Sequence, residues 1–178
     1  MKLKSLLLIA GMLMIPAIFS NQAKADEKHR YLATTIRSLG VPVTINTKIH
    51  CRPGESGSYF SAGFMVICQD NRNKEGVEVV WTVNDLDTLR HEAHHMIQDC
   101  AAGGIGDGKM SLMFNNKEEL AEFVSKSGYT LDQVKQIAKH YRQQGVTGYD
   151  MLMELEAFAV ARSIPADLIA VKLKEYCQ

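Results

Sequence analysis

The sequence predicts an α+β fold in which a small antiparallel meander sheet packs against a helical core. Three stretches rich in β-branched and aromatic residues, separated by short turn clusters, lie between residues 43 and 83. From about residue 85 to the C-terminus, apolar residues recur at helical spacing. With 178 residues, 46% of them hydrophobic, the chain is long enough to bury one core of this kind.

An N-terminal targeting segment precedes the predicted domain. Two lysines come before an apolar run at residues 6–19, and Ala-Lys-Ala follows at residues 23–25. This order predicts a signal peptide over residues 1–25, and therefore a secreted or periplasmic protein whose single domain spans residues 26–178. A membrane anchor is disfavoured, because the apolar run contains Pro16 and is shorter than the ~20 residues of a spanning helix. We expect no membrane contact after cleavage.

The charge balance argues against polyanionic partners. The chain has 20 basic and 20 acidic residues, and its formal net charge is zero. Without the lysines of residues 1–25, the remaining domain is slightly acidic. A chain with no basic excess lacks the field that binds nucleic acid or an anionic membrane, so we expect neither as a partner.

Four cysteines lie in the predicted domain, and none of them forms a Cys-x-x-Cys pair. An even number of cysteines in an exported chain predicts two disulfides. Of the three pairings, Cys51 with Cys68 is favoured because both would lie on neighbouring strands, which leaves Cys100 with Cys177. A zinc site built from cysteines is disfavoured, since their spacings match no compact zinc module.

The elements are predicted in a simple order. A first helix over residues 26–39 ends at Gly40. Strands are predicted at residues 43–51, 59–68 and 77–83. A helix capped by Asp85 or Asp87 then runs to about Cys100, where a glycine-rich linker begins. Further helices are predicted at residues 117–126, 130–144, 149–163 and 165–176.

The segment His91-Glu92-Ala93-His94-His95 has the pattern His-Glu-x-x-His. On a helix, His91 and His95 lie one turn apart on nearly the same face, so both imidazoles can bind one metal ion. Glu92 stands beside the first of them, where it can take a proton from water and pass it to a leaving amine. The opposite face of this helix is apolar, which indicates that one face packs in the core and the other faces a metal.

A third ligand is expected from the helix at residues 149–163, where Glu154 and Glu156 interrupt an apolar stretch. Burying an unpaired carboxylate is costly, so each glutamate needs a partner. The two point about 200° apart around the helix, so only one can face a given metal. Glu154 shares its face with small alanines that allow close helix packing, and it is the predicted ligand. Glu156 is expected to be paired to a cation or solvated.

These motifs resemble the gluzincin branch of the zinc metallopeptidases. The His-Glu-x-x-His pattern is followed by Glu154-x-Glu-Ala-x-x-x-Ala, which is similar to the Glu-x-x-Ala helix of several small gluzincin families. The resemblance covers residues 77–161 and implies a zincin-like core with Zn²⁺ bound by His91, His95 and Glu154. It implies that Glu92 is catalytic, and that the strand at residues 77–83 binds an extended substrate.

Several further residues are candidates for supporting roles. Phe158 stands where many gluzincins have an acidic residue or asparagine, so Asp99, one turn after His95, is the predicted group that orients an imidazole. His94 is expected to line the wall of the cleft. The candidates for stabilising an oxyanion are Tyr149, His140 and Tyr141.

The function expected from these features is that of an exported zinc-dependent peptidase, in which metal-activated water attacks a peptide bond and Glu92 is the general base. Its partner is a peptide or protein substrate. The alternative is an exported non-catalytic zinc-binding or interaction protein with a gluzincin-like fold. The presence of Glu92 disfavours the alternative, because a structural zinc site needs no base and fills its fourth position with a protein ligand.

Overall fold

The computed structural model describes residues 26–178, and the predicted signal peptide at residues 1–25 lies outside this range. Within the described residues, no helix is long and apolar enough to cross a membrane. Six helices and three short strands follow in chain order: α1 (Glu27–Ser38), β1 (Val43–Ile45), β2 (Gly57–Phe60), β3 (Phe64–Ile67), α2 (Val83–Ala102), α3 (Lys117–Lys126), α4 (Leu131–Gln143), α5 (Gly148–Ser163) and α6 (Ala166–Cys177).

The three strands form one sheet, and together with the helices they confirm the α+β class. The strand order is β1-β3-β2, with β1 parallel and β2 antiparallel to the central β3. The sheet is therefore mixed, and the prediction of an antiparallel meander was wrong. Residues 59–68 do not form a single strand but turn back at Gly63, whose φ of 85° suits glycine. The N–H of Gly63 closes this hairpin on the carbonyl of Phe60 at 2.8 Å.

The third predicted strand, at residues 77–83, pairs with no described strand. Two buried side-chain amides hold its backbone instead. Asn46 donates to the carbonyl of Val77 at 2.7 Å, while Gln69 donates to and accepts from the backbone of Val79 at 2.8 and 2.7 Å. These amides satisfy the groups that a neighbouring strand would otherwise bind. Asn46 also has a positive φ of 55°, which ends β1 after three residues and shortens the first predicted strand.

Helix α2 is the central element and carries the His-Glu-x-x-His pattern. Its N-cap is Thr82, and Asp85, one of the two expected caps, lies three residues into the helix, where it completes a capping box with Thr82. One face of α2 packs in the main core with α1, α6 and the sheet, through Leu89, Ala93, Met96 and Ile97. The face that bears the two histidines is thereby directed towards α5 and β2.

Both disulfides have the favoured pairing, which confirms that prediction. Cys51 bonds Cys68, and Cys100 bonds Cys177. The first joins the loop after β1 to the end of β3 and not two neighbouring strands, because β1 ends at Ile45. The second joins the last turn of α2 to the end of α6, and so holds the C-terminal helix against the helix that carries the histidines.

Candidate metal centre

Three side chains predicted as metal ligands meet between α2 and α5. The Nε2 atoms of His91 and His95 lie 3.0 Å apart, and Oε2 of Glu154 lies 3.2 Å from the first and 3.5 Å from the second. The imidazoles converge because they lie one turn apart on the same face of α2, and Glu154 faces them from α5.

The donor atoms of this cluster fit a metal ion. Oε2 of Glu154 is buried within ion-pair distance of both imidazoles, yet it has no hydrogen bond of acceptable geometry among the described residues. A bound cation would satisfy such an atom, whereas the protein around it does not. Two imidazole nitrogens and one carboxylate oxygen are a donor set that suits Zn²⁺, and three protein ligands leave a fourth position for water or substrate.

The charges of Glu154 and His95 are closely linked in the metal-free site. Burial by itself would raise the pKa of Glu154, but its close ion-pair contacts with His91 and His95, at 3.2 and 3.5 Å, hold this pKa far below its usual range. Burial would likewise lower the pKa of His95, but the Glu154 carboxylate outweighs it and raises the pKa of His95 to about 9. In the absence of metal, His95 therefore carries a proton at neutral pH, and metal binding has to displace that proton.

Glu92 is buried beside the two imidazoles, and a carboxylate oxygen and the two ring nitrogens all lie within 4.8 Å of one another. Its Oε2 accepts a hydrogen bond from the backbone N–H of Tyr59 in β2 at 2.6 Å. This close approach of β2 requires glycine at position 57, since a Cβ there would lie 2.6 Å from the Thr88 side chain and 2.9 Å from the Val66 carbonyl. The sheet thus positions the predicted catalytic carboxylate.

The residue that orients His95 is Gln98, and the prediction of Asp99 for this role was wrong. Oε1 of Gln98 lies 2.8 Å from Nδ1 of His95. Asp99 instead accepts hydrogen bonds from the Tyr59 hydroxyl at 2.5 Å and from the N–H of Gly106 at 3.2 Å. Burial and the Asp99 carboxylate raise the pKa of Tyr59, so its hydroxyl stays protonated as a donor. These donors bind Asp99 to β2 and to the glycine-rich loop, and no hydrogen bond among the described residues joins it to an imidazole.

Glu156 and His94 form a second, fully enclosed pair. Oε1 of Glu156 lies 2.7 Å from Nε2 of His94, and the N–H of Met113 donates to Oε1 and Oε2 at 3.2 and 3.1 Å. His94 therefore does not line the cleft as predicted, because its ring is directed to this carboxylate within the core. Burial lowers the pKa of His94, and Glu156 offsets this effect in part. Glu156 is thus fully buried, and its partners among the described residues are an imidazole and a backbone amide, with no Lys or Arg.

A cleft of about 630 Å³ opens onto the metal centre, with β2 on one side and residues of α4 and α5 on the other. Tyr141 of α4 lines this cleft. Burial raises the pKa of Tyr141, and the nearby charges of Glu154 and Glu92 raise it further, so the hydroxyl remains a proton donor at neutral pH. His140 also lines the cleft, but its Nε2 is engaged with the Gln144 side chain at 3.0 Å. Of the three oxyanion candidates, Tyr141 and His140 line the cleft, and the neighbours of Tyr141 include the carboxylates of Glu154 and Glu92.

Two other predicted positions have different surroundings. Tyr149 lies outside the cleft lining, half exposed, and its hydroxyl accepts a hydrogen bond from the N–H of Leu112 at 2.8 Å. It is therefore not placed to stabilise an oxyanion. Phe158 packs edge-on against His91, with ring centroids 4.5 Å apart, and Nδ1 of His91 has no hydrogen-bond partner in the part of the chain that the structure describes. Glu154 contacts this imidazole at Nε2, and Phe158 packs against its ring.

The contacts of Gln98 with His95 and of Tyr59 with Glu92 were not predicted from the sequence. Gln98 carried a usable signal, since a glutamine in the middle of a buried helix needs hydrogen-bond partners. Tyr59 carried none for its contact with Glu92, because that contact uses a backbone N–H, which every residue except proline has. Only the packing of β2 on α2 places that group at the site.

Comparison with known proteins finds no relative: no family model, no curated protein and no solved structure matches the chain.

Proposed function

We propose that this protein is an exported zinc-dependent peptidase of the gluzincin type. The observation that carries the proposal is the meeting of His91, His95 and Glu154 at one point, with Glu92 beside them at the floor of an open cleft. A structural zinc site is normally closed by a fourth protein ligand and has no need of a neighbouring base. An open position next to a buried glutamate is the arrangement expected of hydrolysis.

His91, His95 and Glu154 would hold the zinc ion, which would supply the Lewis acidity that peptide-bond hydrolysis requires. Glu92 accepts a proton from the attacking water and delivers it to the amine of the leaving peptide. The N–H of Tyr59 fixes one oxygen of Glu92 at 2.6 Å, which leaves the other oxygen to exchange that proton. The Tyr141 hydroxyl, kept protonated by its raised pKa, donates a hydrogen bond to the oxyanion as it develops.

The substrate in this proposal is an extended peptide bound along β2. In the described sheet, β2 pairs only with β3, and Gly57, Ser58 and Tyr59 line the cleft. A sheet edge of this kind binds a peptide strand through main-chain hydrogen bonds; the Tyr59 N–H already bonds Glu92, so the other main-chain groups of this edge would bind the peptide. This role was expected of residues 77–83, but the backbone of that segment is already engaged by Asn46 and Gln69. We therefore propose that the substrate binds beside β2 and not beside residues 77–83.

Export is supported by the disulfides. Two cystines that hold together distant parts of a small domain are typical of proteins that fold in an oxidising compartment. The predicted signal peptide agrees with this location and can be tested by N-terminal sequencing of the exported protein, which should begin at Asp26.

The proposal is tested with purified wild-type protein and a Glu92→Gln variant. Wild type should bind about one zinc per chain and cleave peptides, whereas Glu92→Gln should keep the zinc and lose cleavage. Glu118→Gln, an exposed change in α3, is the matched control and should leave both properties unchanged. Failure of the wild type to bind zinc would refute the proposal. Zinc binding without cleavage of any peptide in a degenerate library would support the non-catalytic alternative.

A further inference from the structure

Gln98 is a fully buried glutamine on the helix that carries the two histidine ligands. Its residue is 0% exposed, and it lies three positions after His95 on α2. A primary amide has two donors and two acceptor sites, so burying one is costly unless its groups are hydrogen-bonded. The partners of this amide therefore indicate why the residue is there.

Both ends of the Gln98 amide are engaged, and each end contacts a different part of the metal centre. Oε1 lies 2.8 Å from Nδ1 of His95 and accepts a hydrogen bond from its N–H. Nε2 donates to the carbonyl of Met153 on α5 at 3.3 Å. Met153 immediately precedes Glu154, so a single side chain connects one ligand with the helical turn that presents another.

The contrast with His91 shows that this support is specific to one ligand. Within residues 26–178, Nδ1 of His91 is buried without a hydrogen-bond partner, and Phe158 packs against the ring. Among the described residues, Gln98 is therefore the only side chain that hydrogen-bonds the outer nitrogen of a ligand imidazole. Metal-binding histidines commonly donate this proton to an oxygen, which sets the tautomer and the orientation of the ring.

We propose that Gln98 is a positioning residue for the metal centre, an inference that rests on the proposed zinc-binding function. Its Oε1 holds a proton of His95 on Nδ1, so that Nε2 is the nitrogen that can bind the metal. Its Nε2 keeps α5 in register with α2, so that Glu154 faces the two imidazoles before metal arrives. Gln98 itself contacts neither metal nor substrate.

Two substitutions separate the two halves of this role. Gln98→Met keeps a side chain of similar length and removes both hydrogen bonds, so zinc affinity should fall about 10- to 100-fold. Gln98→Glu keeps an acceptor for His95 but replaces the donor to Met153 with an oxygen. It should recover most of the affinity lost in Gln98→Met, because the orientation of His95 is restored.

The chain offers a matched control at Gln69, which is also 0% exposed. Its amide bonds Asn46 and Val79 in the sheet region, and it does not contact the metal centre. Gln69→Met therefore removes a buried amide and its hydrogen bonds without touching a ligand. It should lower the unfolding temperature as Gln98→Met does, and it should leave zinc affinity within about threefold of wild type.

The experiment measures zinc affinity by competition with a chelator, together with thermal unfolding of the same proteins. The proposal is overturned if Gln98→Met and Gln69→Met weaken zinc binding equally, or if Gln98→Glu is as weak as Gln98→Met. If Gln98→Met does not fold, imidazole ¹⁵N NMR of zinc-loaded wild type decides the question. His95 should carry its proton on Nδ1, and the opposite tautomer would refute the role. Wild type that binds no zinc would instead refute the proposed function.

Discussion

Replacing Glu156 with alanine tests whether the two glutamates of α5 have the separate roles that their surroundings indicate. Glu156 is 0% exposed, whereas the Glu154 side chain retains 20% of its exposure beside the cleft. Removing the Glu156 carboxylate leaves Nε2 of His94 and the N–H of Met113 without an acceptor in the core. We therefore expect Glu156→Ala to weaken the fold and to leave the metal ligands intact.

The size of the effect follows from the two donors that lose their partner. Each unsatisfied buried group costs about 1–3 kcal/mol, so the pair costs roughly 4 kcal/mol. For a domain of this length, 1 kcal/mol lowers the unfolding temperature by about 2–4 °C, which predicts a decrease of roughly 10 °C. Glu156→Gln keeps one oxygen for these donors and should lose less than half of that.

The assay is thermal unfolding of the metal-free protein with its disulfides intact, combined with zinc titration of the same samples. Glu156→Ala should bind zinc within about tenfold of wild type, because Glu156 bonds His94 and Met113 and none of the three predicted ligands. Glu154→Ala should weaken zinc binding by more than 100-fold while lowering the unfolding temperature less, since it removes a ligand from a partly exposed position. The reverse order of zinc affinities would refute the assignment of Glu154 as the ligand. An unchanged unfolding temperature for Glu156→Ala would refute the argument from buried donors.

Three further predictions concern pH, the oxyanion and the second disulfide. The pKa of His95 is raised to about 9 from an unfolded value near 6.5, so its contribution to the stability of the metal-free protein is complete below pH 6.5 and is lost as the pH rises to about 9. Chelator-treated protein should therefore unfold at lower temperature at pH 9 than at pH 6.5, and the unfolding temperature of Glu154→Gln should depend less on pH. If wild type and Glu154→Gln show the same pH dependence, the ion pair between His95 and Glu154 does not contribute to stability. Tyr141→Phe should lower kcat about 10- to 100-fold with zinc content unchanged in a peptide-cleavage assay, and full activity would exclude Tyr141 as the oxyanion donor. Replacing Cys100 and Cys177 with alanine opens a loop of 77 residues and should lower the free energy of unfolding, measured in urea, by about 4–5 kcal/mol. A variant as stable as wild type would contradict this prediction.

The helices were the part of the fold that sequence patterns described best. Their bounds follow apolar periodicity and capping residues, which act within a few positions of the chain, as in the box formed by Thr130 and Gln133. The sheet was described less well. Residues 77–83 have the composition of a strand, but Asn46 and Gln69 bind their backbone groups in place of a partner strand. Composition reports which segments can be extended, and it does not report what they pair with.

The candidate site, like the fold, was predicted best where the prediction depended on spacing within one helix. His91, Glu92 and His95 were identified from their spacing, because a helix places positions four apart on one face. The choice of Glu154 over Glu156 also came from helical geometry, and the structure places Glu154 at the imidazoles and Glu156 against His94.

By itself, the sequence determined the α+β class, the number of disulfides and the residues able to form a metal centre, since each of these depends on composition or on spacing along one element. Only the tertiary structure decided that Gln98 supports His95, that Tyr59 holds Glu92, and that Asp99 and Tyr149 are engaged elsewhere. The physical reason is that a hydrogen bond between elements depends on how those elements pack. The pattern of residues within one segment therefore does not predict which groups of another segment it contacts.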